Sequence, residues 1–199
     1  MVPRLHTIVA STRPGRIGPS VAQWFNDFAR SQGKFDAHLV DLASFNLPLI
    51  DEPHHPMRRQ YQHEHTKKWA ASVAAADAFV FVTPEYNYGP TPALINAFDY
   101  LYFEWNYTPA AFVSYGGVSA GMRSSARSAM TVATLKMMPI PETVGIPNVF
   151  TQLADGKFQA NDLNTAGATA VLNELANWEQ ALRGLRSRHR ETVLGGGKT

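Results

Sequence analysis

Five consecutive apolar residues, Ala78, Phe79, Val80, Phe81 and Val82, run directly into a loop punctuated by Pro84, Pro90 and Pro92. No other stretch limits the available folds as much. The run is too short for a helix and has no polar side to turn toward water, so it predicts a parallel strand buried on both faces. A sheet of such strands needs helices above and below it. The prolines cannot continue the strand. The helix starting at Pro92 supplies the first cover, with Leu94, Ile95, Phe98, Leu101 and Tyr102 on one stripe. Between strand and helix lie Pro84, Glu85, Tyr86, Asn87, Tyr88 and Gly89. In open α/β sheets ligands bind beyond the carboxyl ends of the strands, so a loop of rings and amides there is a candidate pocket wall. The alternative is a plain connection whose tyrosines pack on the body.

The rest of the chain repeats this alternation. Leu5 to Ala10 reads as a first strand, residues 11 to 20 as a turn of small, basic and helix-breaking residues, and Val21, Trp24, Phe25 and Phe28 as the apolar stripe of a helix. His38 to Leu42 is a second strand, and Ala43 to His65 a long connection. Thr66 to Asp77 is a helix leading into the apolar run. Ala110 to Ser114 is the fourth strand, closed by Tyr115, Gly116 and Gly117, and Ser124 to Met138 a helix ended by Pro139. Glu142 to Ile146 is a weak last strand. Phe150 to Leu163 is an excursion, and Ala168, Val171, Leu172, Leu175, Leu182 and Leu185 mark the buried face of a final helix. Strands alternating with helices predict a doubly wound α/β fold of three layers. Residues 1–190 are expected to form one domain and residues 191–199 a flexible tail.

Composition removes several classes of function. The chain of 199 residues has 45% hydrophobic and 17% charged residues, as a folded globular protein does. A net charge of +2 argues against non-specific nucleic-acid binding. The absence of Cys removes disulfides, thiol nucleophiles and Cys-ligated metals, and suits a reducing cytoplasm. No export signal or membrane-spanning run is read from the sequence. Asn106-Tyr107-Thr108 is a chance glycosylation sequon. His54, His55, His63 and His65 crowd the long connection, but their spacing is not that of a helical zinc site, so metal binding is weighed against a surface excursion, lid or intersubunit contact. The terminal GGGKT lacks the first glycine of a P-loop, because Thr192 stands there. Tyr100, Phe103, Trp105 and Tyr107 exceed what one helix stripe buries, which predicts a dimer interface or else an interior aromatic cluster under a loop.

The turn after the first strand gathers Ser11, Arg13, Arg16, Gly18, Pro19 and Ser20 at a helix N-terminus, whose free N–H donors and partial positive charge favour an anion. It reads as a phosphate cradle, or as a capped turn with solvated arginines. If strands one, three and four are neighbours, this loop meets residues 84 to 90 and 115 to 121 at one crevice. A phosphate site beside ring-lined and glycine-rich edges suits a mononucleotide with a large flat ring, hence FMN.

The motifs S-T-R-P-G-R-x-G-P-S, T-P-E-Y-N-Y-G-P-T-P-A-L-I-N-A-F-D-Y-L and S-Y-G-G resemble those of the NADPH-dependent FMN reductase family of flavodoxin-like proteins, over roughly residues 5 to 146. That resemblance implies a five-stranded parallel sheet in the order 2-1-3-4-5. It also implies that Ser11, Arg13, Arg16 and Ser20 hold the FMN phosphate, with Gly18 and Pro19 in the same cradle. Pro84, Glu85, Tyr86, Asn87 and Tyr88 would wrap the ring and ribityl chain, and Tyr115, Gly116 and Gly117 would edge the ring. Ala10 departs from the family's usual glycine. NADPH or NADH is the implied co-substrate, with Arg123 or Arg127 placed to meet a 2′-phosphate. No catalytic side chain is required, since the cofactor carries the chemistry. The implied acceptor is a quinone, azo compound or similar small molecule, and the implied assembly a cytoplasmic homodimer or dimer of dimers. A flavodoxin-type carrier or a flavin-binding regulatory protein is the alternative; the basic pI of about 8.9 speaks against a carrier.

Overall fold

In a computed structural model of the chain, residues 2–195 are described. The apolar run is β3, Ala78–Pro84, buried along its whole length. It lies at the centre of a five-stranded sheet with β1 (Arg4–Val9), β2 (Asp36–Asp41), β4 (Pro109–Tyr115) and β5 (Met138–Ile146), all parallel and in the order β2-β1-β3-β4-β5. This is the flavodoxin-like order.

Alternation along β3 divides the two core layers. Ala78, Val80 and Val82 face helices α1 (Gly18–Ser31) and α5 (Asp162–His189), against Phe25, Val171 and Leu172. Phe79 and Phe81 face α2 (Glu64–Ala74), α3 (Pro92–Asp99) and α4 (Met122–Thr134), against Trp69, Phe98 and Val132. Small residues meet the first pair of helices and large rings the second. Each fully buried large side chain contributes roughly 1.5–3 kcal/mol.

The aromatic surplus after α3 goes inward. Tyr100 and Trp105 are 0% exposed. The Trp105 ring has Phe79, Phe98 and Trp69 around it, with centroids 5.1, 5.6 and 5.7 Å away. Phe103 and Tyr107 are half-buried around His189, at 6.0 and 5.2 Å. The interior cluster is therefore the reading that holds, and these rings do not form an uncovered interface.

Two boundaries differ from the sequence expectation. Helix α4 stops at Thr134, and Met138 already belongs to β5, which carries Pro139 and Pro141. As an edge strand β5 tolerates prolines, and its pairing with β4 shifts register between Ala110 and Phe112. In α5 the apolar stripe ends early: Leu185 is exposed, while Glu179 and Arg186 are buried. Arg186 Nη2 lies 2.5 Å from Glu179 Oε1 and 3.4 Å from Asp77, and Arg190 Nη1 lies 3.1 Å from Asp77. Arg183 also pairs with Glu179 at 2.6 Å. This ionic knot ties α5 to the amino end of β3. Arg190–Leu194 then adds a π-helical turn to α5, so that part of the expected tail is helical; residues 196–199 lie outside the described residues.

The long connection after β2 is fastened to α3. Asn96 Nδ2 donates to the Pro48 carbonyl at 2.6 Å and Asn96 Oδ1 accepts from Ile50 N at 2.9 Å. Tyr100 Oη donates to Asp51 Oδ1 at 3.0 Å, where His65 Nε2 also sits at 3.0 Å, with the His63 ring stacked on His65. Among the described residues no three His, Asp or Glu side chains gather in a metal-holding arrangement. No helix among them is long and apolar enough to cross a membrane. Between β5 and α5 the excursion is a 3-10 turn, Val149–Gln152, and a small hairpin of β6 (Leu153–Ala154) and β7 (Lys157–Phe158).

Candidate functional site

A cleft of about 230 Å³ opens at the carboxyl ends of the strands, lined by Arg13, Arg16, Glu85, Tyr86, Tyr115 and Gly116 among others. It joins the three loops that the sequence brings together. A larger hollow of about 710 Å³ lies between α1 and the β6–β7 hairpin, walled by Trp24, Phe28 and Phe158. That hollow holds no arginine, whereas the smaller cleft collects two.

The first wall is the start of α1. Pro19 in its first turn has no N–H, Ser20 N already donates to the Ile17 carbonyl at 3.0 Å, and the N-cap residue, Ile17, has no side chain able to accept from the Gly18 N–H. By contrast α3 is capped by Thr91 Oγ1 and α5 by a reciprocal Asn161–Asn164 box. The Arg13 side chain is exposed and meets no acceptor among the described residues. Arg16 is partly engaged: it donates to the Thr12 carbonyl at 3.5 Å and pairs closely with Asp41, while its Nε is buried without a partner. Gly18 has no room for a side chain, since a Cβ there would come within 2.3 Å of Ser11 Oγ and 2.6 Å of Tyr115 Oη. The helix thus begins hard against the Ser11–Tyr115 pair, whose hydroxyls lie 3.4 Å apart. Burial pushes the Tyr115 phenol up to about 12, so it is a neutral donor at physiological pH.

The second wall is the loop after β3. Tyr86 and Gly89 exchange backbone hydrogen bonds at 2.9 and 3.0 Å, closing a two-residue turn. Its central residues, Asn87 and Tyr88, both have left-handed backbones, with φ of 48° and 68°. That is the signature of a type I′ turn. Glu85 sits at its base, accepting from Ser119 Oγ and Arg123 N at 3.1 Å each and from Arg123 Nη1 at 2.6 Å. Burial raises its carboxyl pKa, but these bonds outweigh it and hold the group below the usual carboxylate range. Thr91 Oγ1 anchors the far end of the loop by donating to the Ala10 carbonyl at 2.7 Å.

The third wall is the loop after β4. Gly121, at φ 73°, is needed because a Cβ would strike the Tyr115 backbone at 2.7 Å. The carbonyls of Gly117 and Gly116 accept from Asn148 N and Val149 N at 2.9 and 3.0 Å. These bonds draw a fourth loop, after β5, into the cleft.

Of the residues picked from the sequence, Arg13, Arg16, Pro84, Glu85, Tyr86, Tyr115, Gly116 and Gly117 line the cleft. Ser11 and Gly18 lie beneath it, against Tyr115. Ser20 turns away: its hydroxyl accepts from Phe158 N at 2.7 Å, and with Pro19 it lines the aromatic hollow. Asn87 and Tyr88 form the tip of the turn, and Tyr88 is 61% exposed. Sequence reasoning missed Val149 and Phe150 in the lining. The carboxyl-end rule applied to the fifth strand as well would have found them.

A family model described as NADPH-dependent FMN reductase matches residues 3–151. An NAD(P)H-dependent FMN reductase of Schizosaccharomyces pombe is 42% identical over 123 residues, covering 61% of this chain and 62% of that protein. Another, from Nectria sp, is 35% identical over 164 residues, covering 77% and 82%. The match therefore spans less than two thirds of the first relative and most of the second. Among solved structures, FerB, a flavoenzyme NAD(P)H:(acceptor) oxidoreductase from Paracoccus denitrificans, aligns over 90% of this chain and 98% of its own with a TM-score of 0.71. At 18% identity that likeness is one of fold.

Proposed function

The chain belongs to the NADPH-dependent FMN reductase family, and from that premise we propose that it carries FMN in the carboxyl-end cleft and acts as an NAD(P)H-dependent oxidoreductase toward small acceptors. The observation that carries this reading is the uncapped start of α1, where Arg13 and Arg16 open onto the same cleft as Tyr86, Tyr115 and the Gly116–Gly117 edge. The positive end of a helix with its Gly18 N–H, together with guanidinium forks, suits a phosphate, and glycine backbone beside aromatic rings suits a flat heterocycle.

Each wall has a task in this reading. Arg13 and the first turn of α1 hold the phosphate, with Arg16 contributing from its pair with Asp41. Tyr86 and Pro84 bound the ring on one side, and Gly116 and Gly117 on the other. Tyr115 keeps the loop after β4 against the helix through Ser11. Bound FMN supplies hydride acceptance from the nicotinamide and onward electron transfer, so the protein positions and shields without an obligatory acid–base pair. Arg127 is assigned to the 2′-phosphate of NADPH. Its Nη1 lies next to Gly89, at the end of the turn that follows β3, and its side chain meets no acceptor among the described residues.

The acceptor is proposed to be a quinone, azo compound or similar flat molecule. Exposed Phe150 supports this by adding apolar surface to the cleft lining, and exposed Val118 and Tyr88 sit on the two loops that contribute its walls. Exposed Met122 and Met130 on α4 support assembly as a homodimer or dimer of dimers, and the lack of Cys suits a cytoplasmic site. The test is a visible spectrum of purified protein followed by anaerobic NADPH. A yellow holoprotein that bleaches, then recovers on adding a quinone, is expected. Protein that takes up no FMN would sink the reading, and bleaching only with a separate reductase would make it a carrier.

A further inference from the structure

Resting on the FMN reading, we propose that Arg123 is a positioning residue that locks the Glu85–Gly89 wall of the cleft, and is not a ligand of the nicotinamide nucleotide. One side chain grips the tight turn at two points. In its plane, Nη1 donates to Glu85 Oε1 at 2.6 Å, while its own backbone N–H reaches Glu85 Oε2 at 3.1 Å. On its face, the guanidinium carbon sits 3.8 Å from the centre of the Tyr88 ring. Glu85 precedes the turn and Tyr88 lies within it, so both sides of Tyr86 are held to the start of α4.

The turn needs such a hold. Asn tolerates a left-handed backbone through its short amide, but Tyr gains nothing from it, and Tyr88 at φ 68° is a strained position. Stacking on Arg123 stabilises the ring in the place that this backbone dictates. Only arginine can use its edge and its face at once; lysine can pair with Glu85 but presents no plane to the ring. Ser119 Oγ adds a further bond to Glu85 and so ties the turn to the loop after β4 as well. With Glu85 on its edge and Tyr88 on its face, Arg123 is committed, whereas Arg127 is not.

The test uses full-length protein carrying Arg123→Ala, Arg123→Lys, Tyr88→Ala, or Arg123→Lys with Tyr88→Ala. FMN affinity is read by flavin fluorescence, and kcat/KM is measured with NADPH and with NADH. Arg123→Ala is expected to raise the Kd for FMN about tenfold, as loss of a charge-assisted contact does. Arg123→Lys recovers part of that loss. Combining Arg123→Lys with Tyr88→Ala costs less than the two single effects together, because both remove the same stack. The NADPH-to-NADH ratio stays at the wild-type value in every variant. Unchanged FMN affinity in Arg123→Ala overturns the proposal. So does a collapse of the NADPH preference, which would make Arg123 a co-substrate ligand, and so does strict additivity of the two substitutions. Wild-type protein that binds no FMN defeats the cofactor reading itself, which keeps the two failures distinct.

Discussion

At the amino ends of the strands Arg186, Arg183 and Arg190 meet Glu179 and Asp77 at 2.5 to 3.4 Å, and Arg186 and Glu179 are almost wholly buried. At the carboxyl ends the Arg13 side chain meets no acceptor among the described residues, and α1 begins without a side-chain cap. Both regions are rich in arginine. In the first, each positive group has a carboxylate built into the fold, so the charges are closed on one another and the cluster serves to hold α5, even where Arg183 reaches the surface. In the second, donors are left over around an opening. Unsatisfied donors cost little in water but gain much from an anion, so the two ends differ in what remains unpaired rather than in net charge.

Breaking the closed end should have the largest effect. Glu179→Ala leaves Arg186 buried without its main partner and should lower the unfolding free energy by about 3–5 kcal/mol, read by urea denaturation. FMN affinity of the folded protein should not move. If stability is unaffected, the knot is not closed in the sense described.

A second effect at that end depends on pH. His6, packed between His38 and Phe79, has its imidazole pushed down to about 4, chiefly by burial and further by His38. Between pH 6.5 and 4 the unfolded chain binds a proton that the folded chain refuses, so stability is complete above about 6.5 and falls as pH drops, by roughly 3 kcal/mol in all. His6→Gln should flatten that slope in a pH series of denaturation curves. A slope unchanged by the substitution assigns it to other groups.

The open end gives a smaller, ligand-specific effect. Arg13→Ala should weaken FMN by on the order of tenfold to a hundredfold while leaving riboflavin affinity and stability as they were, because only the phosphate contact is lost. Equal losses for FMN and riboflavin would place the phosphate elsewhere. Smallest of all, Arg127→Ala should raise the KM for NADPH by about twofold to fivefold, the scale of one exposed charge contact, with NADH unaffected. A change with both nucleotides, or with neither, removes Arg127 from that role.

How far the sequence revealed these regions follows from the range of the interactions involved. The sheet was legible because β3 and β4 are buried on both faces and must be apolar throughout. The three loops were legible for a related reason: turns and helix starts demand particular residues close in sequence. Half of β5 was not, because Met137 and Met138 extend the apolar pattern of α4 and two prolines argue against a strand unless its place at the edge is known. The turning of Ser20 toward Phe158 was also hidden, since it depends on a partner 138 residues away. The aromatic surplus pointed outward by count and inward in fact, because Trp105 fills a space bounded by rings from α2, β3 and α3.

The loop after β5 joins the cleft through two main-chain bonds, from Asn148 and Val149 to the carbonyls of Gly117 and Gly116. Such a joint carries no side-chain information. Phe150, 71% exposed at the rim, can therefore be exchanged without disturbing the frame that holds it. An engineer or a diverging lineage could retune which molecules enter by altering that one ring, while the arginine-bearing loop on the opposite wall stays as it is.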